Sequence, residues 1–146
     1  QAITWMPTAD PKTDDPPCLQ RIWCRLTADD KGKFWLNMNT HWRSRDLYKA
    51  WFMNVYALTD LQRIIAEKIS KKLGKPVGVG RYVDITDSLH IYGSYFKDAA
   101  IEVEKMRKTP FNERTYESTH PAFEMMTQEA RENLAKDVDW YAKGST

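Results

Sequence analysis

The feature that most constrains this chain is the stretch of residues 47–73, in which apolar residues recur at spacings of three and four. This spacing predicts one long helix with a single apolar stripe. Gly74 and Pro76 mark its end, and Ser44 and Asp46 are candidate N-cap residues. The positions of the stripe are Leu47, Trp51, Val55, Leu58, Leu61, Ile65 and Ile69.

Alternating residues on either side of the long helix predict β-strands. Residues 18–27 and 33–43, joined by a turn at 29–32, have the pattern of an antiparallel hairpin. Residues 77–92 predict a further long strand, in which one set of alternate positions is apolar and the other is polar or aromatic. Residues 96–106 and 123–143 predict helices. The order of elements predicts an α/β (α+β) fold, with a mixed or antiparallel sheet packed on the long helix. One face of the second hairpin strand is expected to carry Phe34, Leu36, Met38 and Trp42.

Composition and charge narrow the function classes. The chain has 146 residues, with 22 basic and 20 acidic side chains and a net charge of +2. That charge is too small to indicate a nucleic-acid or membrane partner, and no apolar run reaches the ~20 residues that span a bilayer. The histidines lack the spacing of a metal site, so none is predicted. Cys18 and Cys24 would lie ~20 Å apart on one strand, too far for a disulfide, which predicts a reduced, cytoplasmic protein.

Cys18 is the candidate nucleophile. It follows Pro16 and Pro17 at the start of a predicted strand, and prolines fix the backbone there. A cysteine nucleophile works as the thiolate, so it needs positive charge or a base nearby. Taken alone, the residue is better explained as a structural cysteine.

Polar residues at the entry to the long helix form a candidate anion site. Arg43 and Ser44 precede Asp46, and arginine can bind a phosphate through two donors at once. The free amides of a helix N-terminus also favour an anion. The alternative is a capped helix start with solvated arginines.

Three further residues could contact a nucleoside. Asn54 lies on the apolar stripe, and a buried amide needs partners; its donor and acceptor match the O4 and N3–H edge of uracil. His90 and Tyr92 are two apart on a predicted strand, so they point the same way ~7 Å apart and could reach a sugar hydroxyl. Without context, a core asparagine bonded to neighbouring backbone is the favoured interpretation of Asn54, whereas a satisfied surface or core pair accounts for His90 and Tyr92 equally well.

The order and spacing of these residues resemble the thymidylate synthase family. Trp5, Pro16-Pro17-Cys18, Arg43-Ser44-x-Asp46, Asn54 and His90-Ile91-Tyr92 follow one another as in that family. The resemblance covers about residues 1–96, roughly two thirds of the chain. It implies a thymidylate synthase-like fold and a single domain over residues 1–146 that lacks the family's N-terminal segment.

The resemblance also implies an activity, the reductive methylation of dUMP to dTMP. Cys18 would be the catalytic nucleophile that adds to C6 of the uracil. Arg43 would bind the phosphate and hold Cys18 as thiolate, Ser44 would add a hydrogen bond to the phosphate, and Asn54 would read the uracil edge.

The remaining implied roles concern the sugar and the co-substrate. His90 and Tyr92 would hold the 3′-hydroxyl of the deoxyribose, and Asp46 would hydrogen-bond the pterin of 5,10-methylenetetrahydrofolate or a related methylene-pterin. The family also implies a homodimer. Two alternatives stay open, a deoxyuridylate hydroxymethylase and a nucleotide-binding fragment without catalysis. An asparagine at position 54 argues against a cytidylate enzyme, because that branch carries aspartate there.

The chain departs from the family pattern at several positions. Leu19 stands where a histidine usually follows the nucleophile, and Trp42 stands where a glutamine precedes the arginine. The segment that usually supplies another phosphate arginine, a catalytic glutamate and an arginine pair would lie before Gln1. These departures predict a divergent branch, archaeal or viral.

Overall fold

A computed structural model describes residues 1–115, 117 and 120–143, with side chains described as far as residue 133. The chain divides into two compact units, Gln1–Ala99 and Ala100–Thr146. Among the described residues, no helix is both long enough and apolar enough to cross a membrane.

The first unit is built on a four-stranded mixed sheet of β1 (Ala2–Ile3), β2 (Leu19–Ala28), β3 (Phe34–Trp42) and β5 (Val77–Thr86). The strands lie in the order β1-β2-β3-β5. β1, β2 and β3 pair antiparallel, whereas β5 pairs parallel to β3. The predicted hairpin is confirmed. The parallel pair requires a long crossover, which the helix α1 (Trp51–Leu73) supplies.

The core lies between α1 and one face of this sheet. Alternate residues of β3 are buried there, as the sequence pattern predicts, while their neighbours are only half-buried. Fully buried side chains include Leu36 and Met38, and Ala66 of α1 is 2% exposed. The predicted mixed α/β architecture, a sheet packed on a long helix, is therefore confirmed.

A buried glutamine joins the helix to the sheet. The pairing of β3 with β5 shifts register between Leu36 and Met38, which leaves backbone carbonyls without ladder partners. The amide of Gln62, fully buried on α1, donates to the carbonyl of Leu36 at 2.7 Å and lies 3.4 Å from that of Gly80. Gln62 therefore ties the middle of α1 to the irregular part of the sheet.

Replacing Gln62 with alanine is expected to destabilise the protein by about 1–3 kcal/mol, because buried carbonyls would lose their donor. Urea unfolding followed by tryptophan fluorescence measures this loss. Arg63→Ala is the matched control on the next residue, since Arg63 is half-exposed and makes only surface ion pairs that contribute about 0–1 kcal/mol. Equal losses in the two variants would contradict the role assigned to Gln62.

The start of α1 differs from the prediction. The helix begins at Trp51 rather than Leu47, and no side chain caps it, so the expectation that Ser44 or Asp46 is its N-cap is wrong. Instead, β4 (Arg45–Asp46) pairs parallel with β6 (Leu89–His90). This pairing keeps the backbone extended, and the carboxylate of Asp46 accepts the amide of Tyr48 at 2.8 Å in the turn that follows.

The strand predicted over residues 77–92 is also interrupted. β5 ends at Thr86, and a bend separates it from the two residues of β6. Among the alternate positions of β5 that are apolar, Val79 and Ile85 are 45% and 44% exposed. Tyr82 and Asp84, from the polar set of alternate positions, are half-buried. Asp84 pairs with Thr40 and Tyr82 with Met38. The side chains of Tyr82 and Asp84 therefore lie on the face of the sheet that packs against α1.

The second unit is helical. α2 (Phe96–Lys108) begins at the end of the first unit and continues two residues beyond the predicted helix, and α3 (Pro121–Lys143) begins two residues earlier than predicted. A short 3₁₀ turn, Phe111–Glu113, lies in the predicted loop 109–119. Positions 116, 118 and 119 of that loop lie outside the described residues.

Candidate functional site

A cavity of about 220 Å³ in the first unit brings together residues from five separate parts of the chain. Its lining residues are Asp15, Cys18, Trp42, Ser44, Arg45, Asp46, Ala50, Asn54, His90 and Tyr92. Six of the seven predicted site residues are among them, the exception being Arg43. Sequence positions from 18 to 92 therefore converge on one space.

Cys18 lies at the end of the proline-rich loop, immediately before β2. It is half-buried and has no disulfide partner. Its carbonyl accepts the backbone amide of Arg43 at 2.9 Å. The end of β3 thus holds the backbone of Cys18 beside the cavity.

Arg43 contacts the loop rather than lining the cavity. Its Nε donates to the carbonyl of Pro17 at 3.2 Å, and its Nη2 donates to that of Pro16 at 2.5 Å. The carboxylate of Asp15 lies 3.9 Å from Nη2, but its side chain is 98% exposed, so water screens that pair. Arg43 therefore fixes the two residues before Cys18, and the phosphate contact expected of it stays a prediction.

Three predicted residues approach the cavity from the β4–α1 segment. Ser44 precedes β4, Asp46 is its last residue, and Asn54 lies one turn into α1. Asn54 is half-buried, and its backbone amide donates to the carbonyl of Ala50 at 3.0 Å. These positions present a hydroxyl, a carboxylate and an amide to one space.

His90 and Tyr92 line the same cavity. β6 ends at His90, and Tyr92 follows in extended conformation. Their rings meet edge to face with centroids 4.9 Å apart, and Tyr95 packs against Tyr92 with centroids 6.4 Å apart. The imidazole of His90 and the phenol of Tyr92 were predicted to lie on the same side of the chain, and their rings are in direct contact.

Sequence reasoning did not predict the burial of Arg45, which it treated as one of the arginines at the entry to the helix. This residue is 3% exposed, and its guanidinium lies 3.9 Å from the centre of the Trp42 ring. Its Nη1 forms an ion pair with Asp84. The only signal in the sequence was that Asp84 is one of the alternate polar residues of β5. No local pattern connected Asp84 to Arg45, 39 positions earlier.

Asp84 in turn belongs to a hydrogen-bonded chain. It accepts the hydroxyls of Tyr82 and Thr86, each at 3.2 Å, and Tyr82 contacts the hydroxyl of Thr40 at 2.9 Å. Burial raises the pKa of Tyr82, which keeps it a neutral donor. The carboxylate that pairs with Arg45 is therefore held in place by the hydroxyl groups of Tyr82 and Thr86.

Sequence comparison gives the family. Proteins named "Putative thymidylate synthase" from Methanothermobacter marburgensis and Methanothermobacter thermautotrophicus are each 33% identical over 97 residues, 66% of this chain. The protein of the same name from Methanococcoides burtonii is 30% identical over 91 residues. This chain is a divergent thymidylate synthase-like protein. The predicted resemblance is confirmed, and so is its extent of about two thirds of the chain.

The comparison covers only part of each relative. The matched segment spans 39% of the length of the Methanothermobacter proteins and 37% of the Methanococcoides protein. No family model matches the chain, and no solved structure matches it. Among the described residues, no group of three or more His, Cys, Asp or Glu side chains is arranged to hold a metal ion. The thymidylate synthase-like assignment therefore rests on sequence similarity.

Proposed function

We propose that this thymidylate synthase-like chain binds dUMP and converts it to dTMP by reductive methylation, with Cys18 as the nucleophile. The observation that carries the proposal is the convergence of Cys18, Ser44, Asp46, Asn54, His90 and Tyr92 on one cavity. The resemblance expects these side chains around one nucleotide, and they come from distant parts of the sequence.

The proposed reaction begins with addition of the Cys18 thiolate to C6 of the uracil. C5 is a poor nucleophile until that addition turns it into an enolate carbon. Fixed donors near O4 stabilise the negative charge that develops there. Arg43 contributes by fixing the carbonyls of Pro16 and Pro17, because a nucleophile held in the attacking geometry avoids an entropic cost.

Asn54 is proposed to read the pyrimidine. A carboxamide carries one donor group and one acceptor, which match O4 and N3–H of uracil. The side chain lines the cavity from the first turns of α1, where the helix fixes its position. It also serves as a donor to the O4 of the enolate.

His90 and Tyr92 are proposed to hold the 3′-hydroxyl of the deoxyribose. The edge-to-face contact of their rings limits their rotation, and the Nδ1 of His90 lies 3.3 Å from the carbonyl of Ser88. This leaves Nε2 and the phenol hydroxyl for a ligand. Ser44, at the other side of β4, is proposed to donate to the phosphate.

Asp46 fits a pterin donor group. One of its oxygens accepts the amides of Tyr48 and Lys49 at 2.8 and 3.3 Å, so the carboxylate is oriented and its second oxygen is left for a ligand. Methylenetetrahydrofolate, or a related methylene-pterin, supplies the one-carbon unit and the hydride when bound. No metal is needed for this chemistry.

The open face of the sheet is proposed to pair with a second copy of the chain. Trp23, Asn39 and Val83 are register neighbours on the face opposite α1. The side-chain oxygen of Asn39 is buried without a hydrogen-bond partner among the described residues, and Ile85 is 44% exposed on the same face. Sedimentation equilibrium tests this homodimer, and a monomer at micromolar concentration would contradict it.

A second candidate is a nucleotide-binding module of the same fold without catalysis, which would use the same cavity. Deoxyuridylate hydroxymethylation, in which water captures the methylene unit in place of hydride, is the related enzymatic alternative.

Product analysis separates the three functions. Incubation with dUMP and methylenetetrahydrofolate should yield dTMP and dihydrofolate in equal amounts. Hydroxymethyl-dUMP with tetrahydrofolate would indicate the hydroxymethylase. Binding of dUMP without either product would indicate the module, and failure to bind dUMP would contradict the proposal.

Replacing Asn54 with aspartate should change the preferred base. A carboxylate only accepts hydrogen bonds, so it matches the amino group of cytosine and repels O4 of uracil. We expect the ratio of dUMP to dCMP affinity to fall by about 10- to 100-fold, the range of one mismatched polar contact to a charged group. Isothermal titration with both nucleotides measures it, with Asn54→Gln as the amide control. An unchanged ratio would show that Asn54 does not read the base.

A further inference from the structure

Four rings form a continuous row from the turn before α1 to the end of β6. The ring centroids of Tyr48 and Tyr95 lie 5.8 Å apart, and those of Tyr95 and Tyr92 lie 6.4 Å apart. His90 completes the row, with its ring centroid 4.9 Å from that of Tyr92. These distances are those of attractive contacts between aromatic rings. Of the four, only His90 and Tyr92 line the cavity, so Tyr48 and Tyr95 lie behind them.

Tyr92 has few other interactions that fix its ring. The strand β6 has already ended at His90, and Tyr92 is 55% exposed. Among the described residues, its phenol hydroxyl forms no hydrogen bond. A side chain that is free to change rotamer has to be ordered when a ligand binds, which costs entropy. The ring contacts with His90 and Tyr95 are therefore the specific interactions that restrict where the phenol points.

Tyr95 is itself held on two sides. It ends the short 3₁₀ turn Gly93–Tyr95, and its backbone amide donates to the carbonyl of Tyr92 at 2.9 Å. On the other side, the Nζ of Lys49 lies 4.0 Å from the centroid of its ring, a cation–π contact. Tyr48 packs on the same ring. The half-buried ring of Tyr95 is therefore a fixed surface against which Tyr92 packs.

The row of rings also connects two segments that carry site residues. Asp46 of β4 pairs with His90 of β6, and the backbone amide of Leu47 donates to the carbonyl of His90 at 2.8 Å. This backbone pairing does not reach Tyr92, which follows β6. Beyond that point the contact of Tyr48 with Tyr95 continues the connection. Side chains, rather than the sheet, therefore set the position of Tyr92.

From these contacts we infer that Tyr95 is a positioning residue for the nucleotide. It holds the ring of Tyr92 against His90, so that the phenol hydroxyl is directed at the 3′-hydroxyl of the deoxyribose before the ligand arrives. Tyr95 does not line the cavity, so it acts through Tyr92 and does not contact the nucleotide. The inference rests on the proposed function for the identity of the ligand.

The first experiment compares Tyr95→Ala with Tyr95→Phe, which keeps the ring. Affinities for dUMP and for 2′,3′-dideoxyuridylate are measured by isothermal titration, after circular dichroism has shown that each variant is folded. We expect Tyr95→Ala to weaken dUMP by about 3- to 10-fold, the effect of having to order one side chain on binding. The dideoxy nucleotide has no 3′-hydroxyl, so its affinity should not change. Tyr95→Phe should bind both nucleotides as the unaltered chain does.

Phe96→Ala is the control, because it removes an aromatic ring from the next residue, which is 63% exposed. It should change neither affinity. If Tyr95→Ala does not fold, Tyr95→Leu takes its place, since leucine fills much of the same volume without a ring. An unchanged affinity for dUMP, or an equal loss for both nucleotides, overturns the inference.

A double variant tests whether Tyr95 acts through the hydroxyl of Tyr92. Tyr92→Phe keeps the ring and removes the hydroxyl, so nothing is left for Tyr95 to direct. Adding Tyr95→Ala to Tyr92→Phe should therefore cause no further loss of dUMP affinity. A further loss as large as that of Tyr95→Ala alone would show that Tyr95 acts by another route, and the inference would be wrong.

A measurement without any nucleotide separates this inference from the proposed function. The ring of Tyr92 shifts the proton resonance of the His90 imidazole, which is identified by its loss in His90→Asn. In Tyr95→Ala this resonance should move toward that of an exposed histidine, and in Tyr95→Phe and Phe96→Ala it should stay in place. If dUMP fails to bind but the resonance responds in this way, the proposed function fails and the positioning role stands. A resonance that is unchanged in Tyr95→Ala would show that Tyr95 does not hold Tyr92.

Discussion

Replacing Cys18 with serine is expected to abolish covalent labelling of the chain by 5-fluorodeoxyuridylate. With methylenetetrahydrofolate present, C5 takes up the methylene unit, but fluorine at C5 cannot then leave as a proton does, so the covalent complex of Cys18 with the nucleotide and the folate accumulates and intact-mass spectrometry detects it. A serine hydroxyl is not ionised at neutral pH and cannot replace the thiolate. Where turnover is measurable, the same change should reduce it by about 10³-fold or more, as loss of a nucleophile does.

Cys24 supplies the control for this experiment. It lies in the middle of β2 opposite Met38, and burial raises the pKa of its thiol, so less thiolate is available for reaction. Cys24→Ser should therefore label as fully as the unaltered chain. Labelling that survives in Cys18→Ser, or that is lost in Cys24→Ser, would contradict the assignment of Cys18 as the nucleophile.

Replacing Asp84 with asparagine is expected to destabilise the first unit by about 3–5 kcal/mol. The change leaves the guanidinium of Arg45, which is 1% exposed, without its charged partner, and an uncompensated buried charge costs about that much. Urea unfolding followed by tryptophan fluorescence measures it. Every tryptophan except Trp140 precedes residue 100, so the signal reports on this unit.

Asp87→Asn is the matched control for Asp84→Asn. Asp87 also pairs with a basic residue, His41, but its side chain is 60% exposed, so its loss should cost about 0–1 kcal/mol. In the double variant Arg45→Met, Asp84→Asn most of the stability should return, because neither charge is then buried alone. A double variant as unstable as Asp84→Asn would show that packing, and not the unpaired charge, causes the loss.

The elements of the fold were predictable where one local pattern extended over many residues. Alternation in residues 33–43 identified β3 and its buried face because every second side chain has to enter the core. The apolar stripe over residues 47–73 identified α1, because apolar residues spaced three and four apart lie on the one helix face that packs against the core. The first four residues assigned to that helix were wrong because Arg45 and Asp46 pair with Leu89 and His90, a contact between segments 44 residues apart that no local pattern contains.

The residues of the candidate site divide in the same way. Cys18, Ser44, Asp46, Asn54, His90 and Tyr92, which line one cavity, were predicted as site residues from their order along the chain, because side-chain chemistry and spacing are properties of the sequence. The sequence by itself therefore determined the family, the hairpin, the long helix and the chemical groups available. Only the tertiary structure decided that Arg45 pairs with a largely buried acid while its neighbour Arg43 binds the loop before Cys18. That choice depends on Asp84, Trp42 and the carbonyls of Pro16 and Pro17, groups that meet the arginines only after the chain has folded.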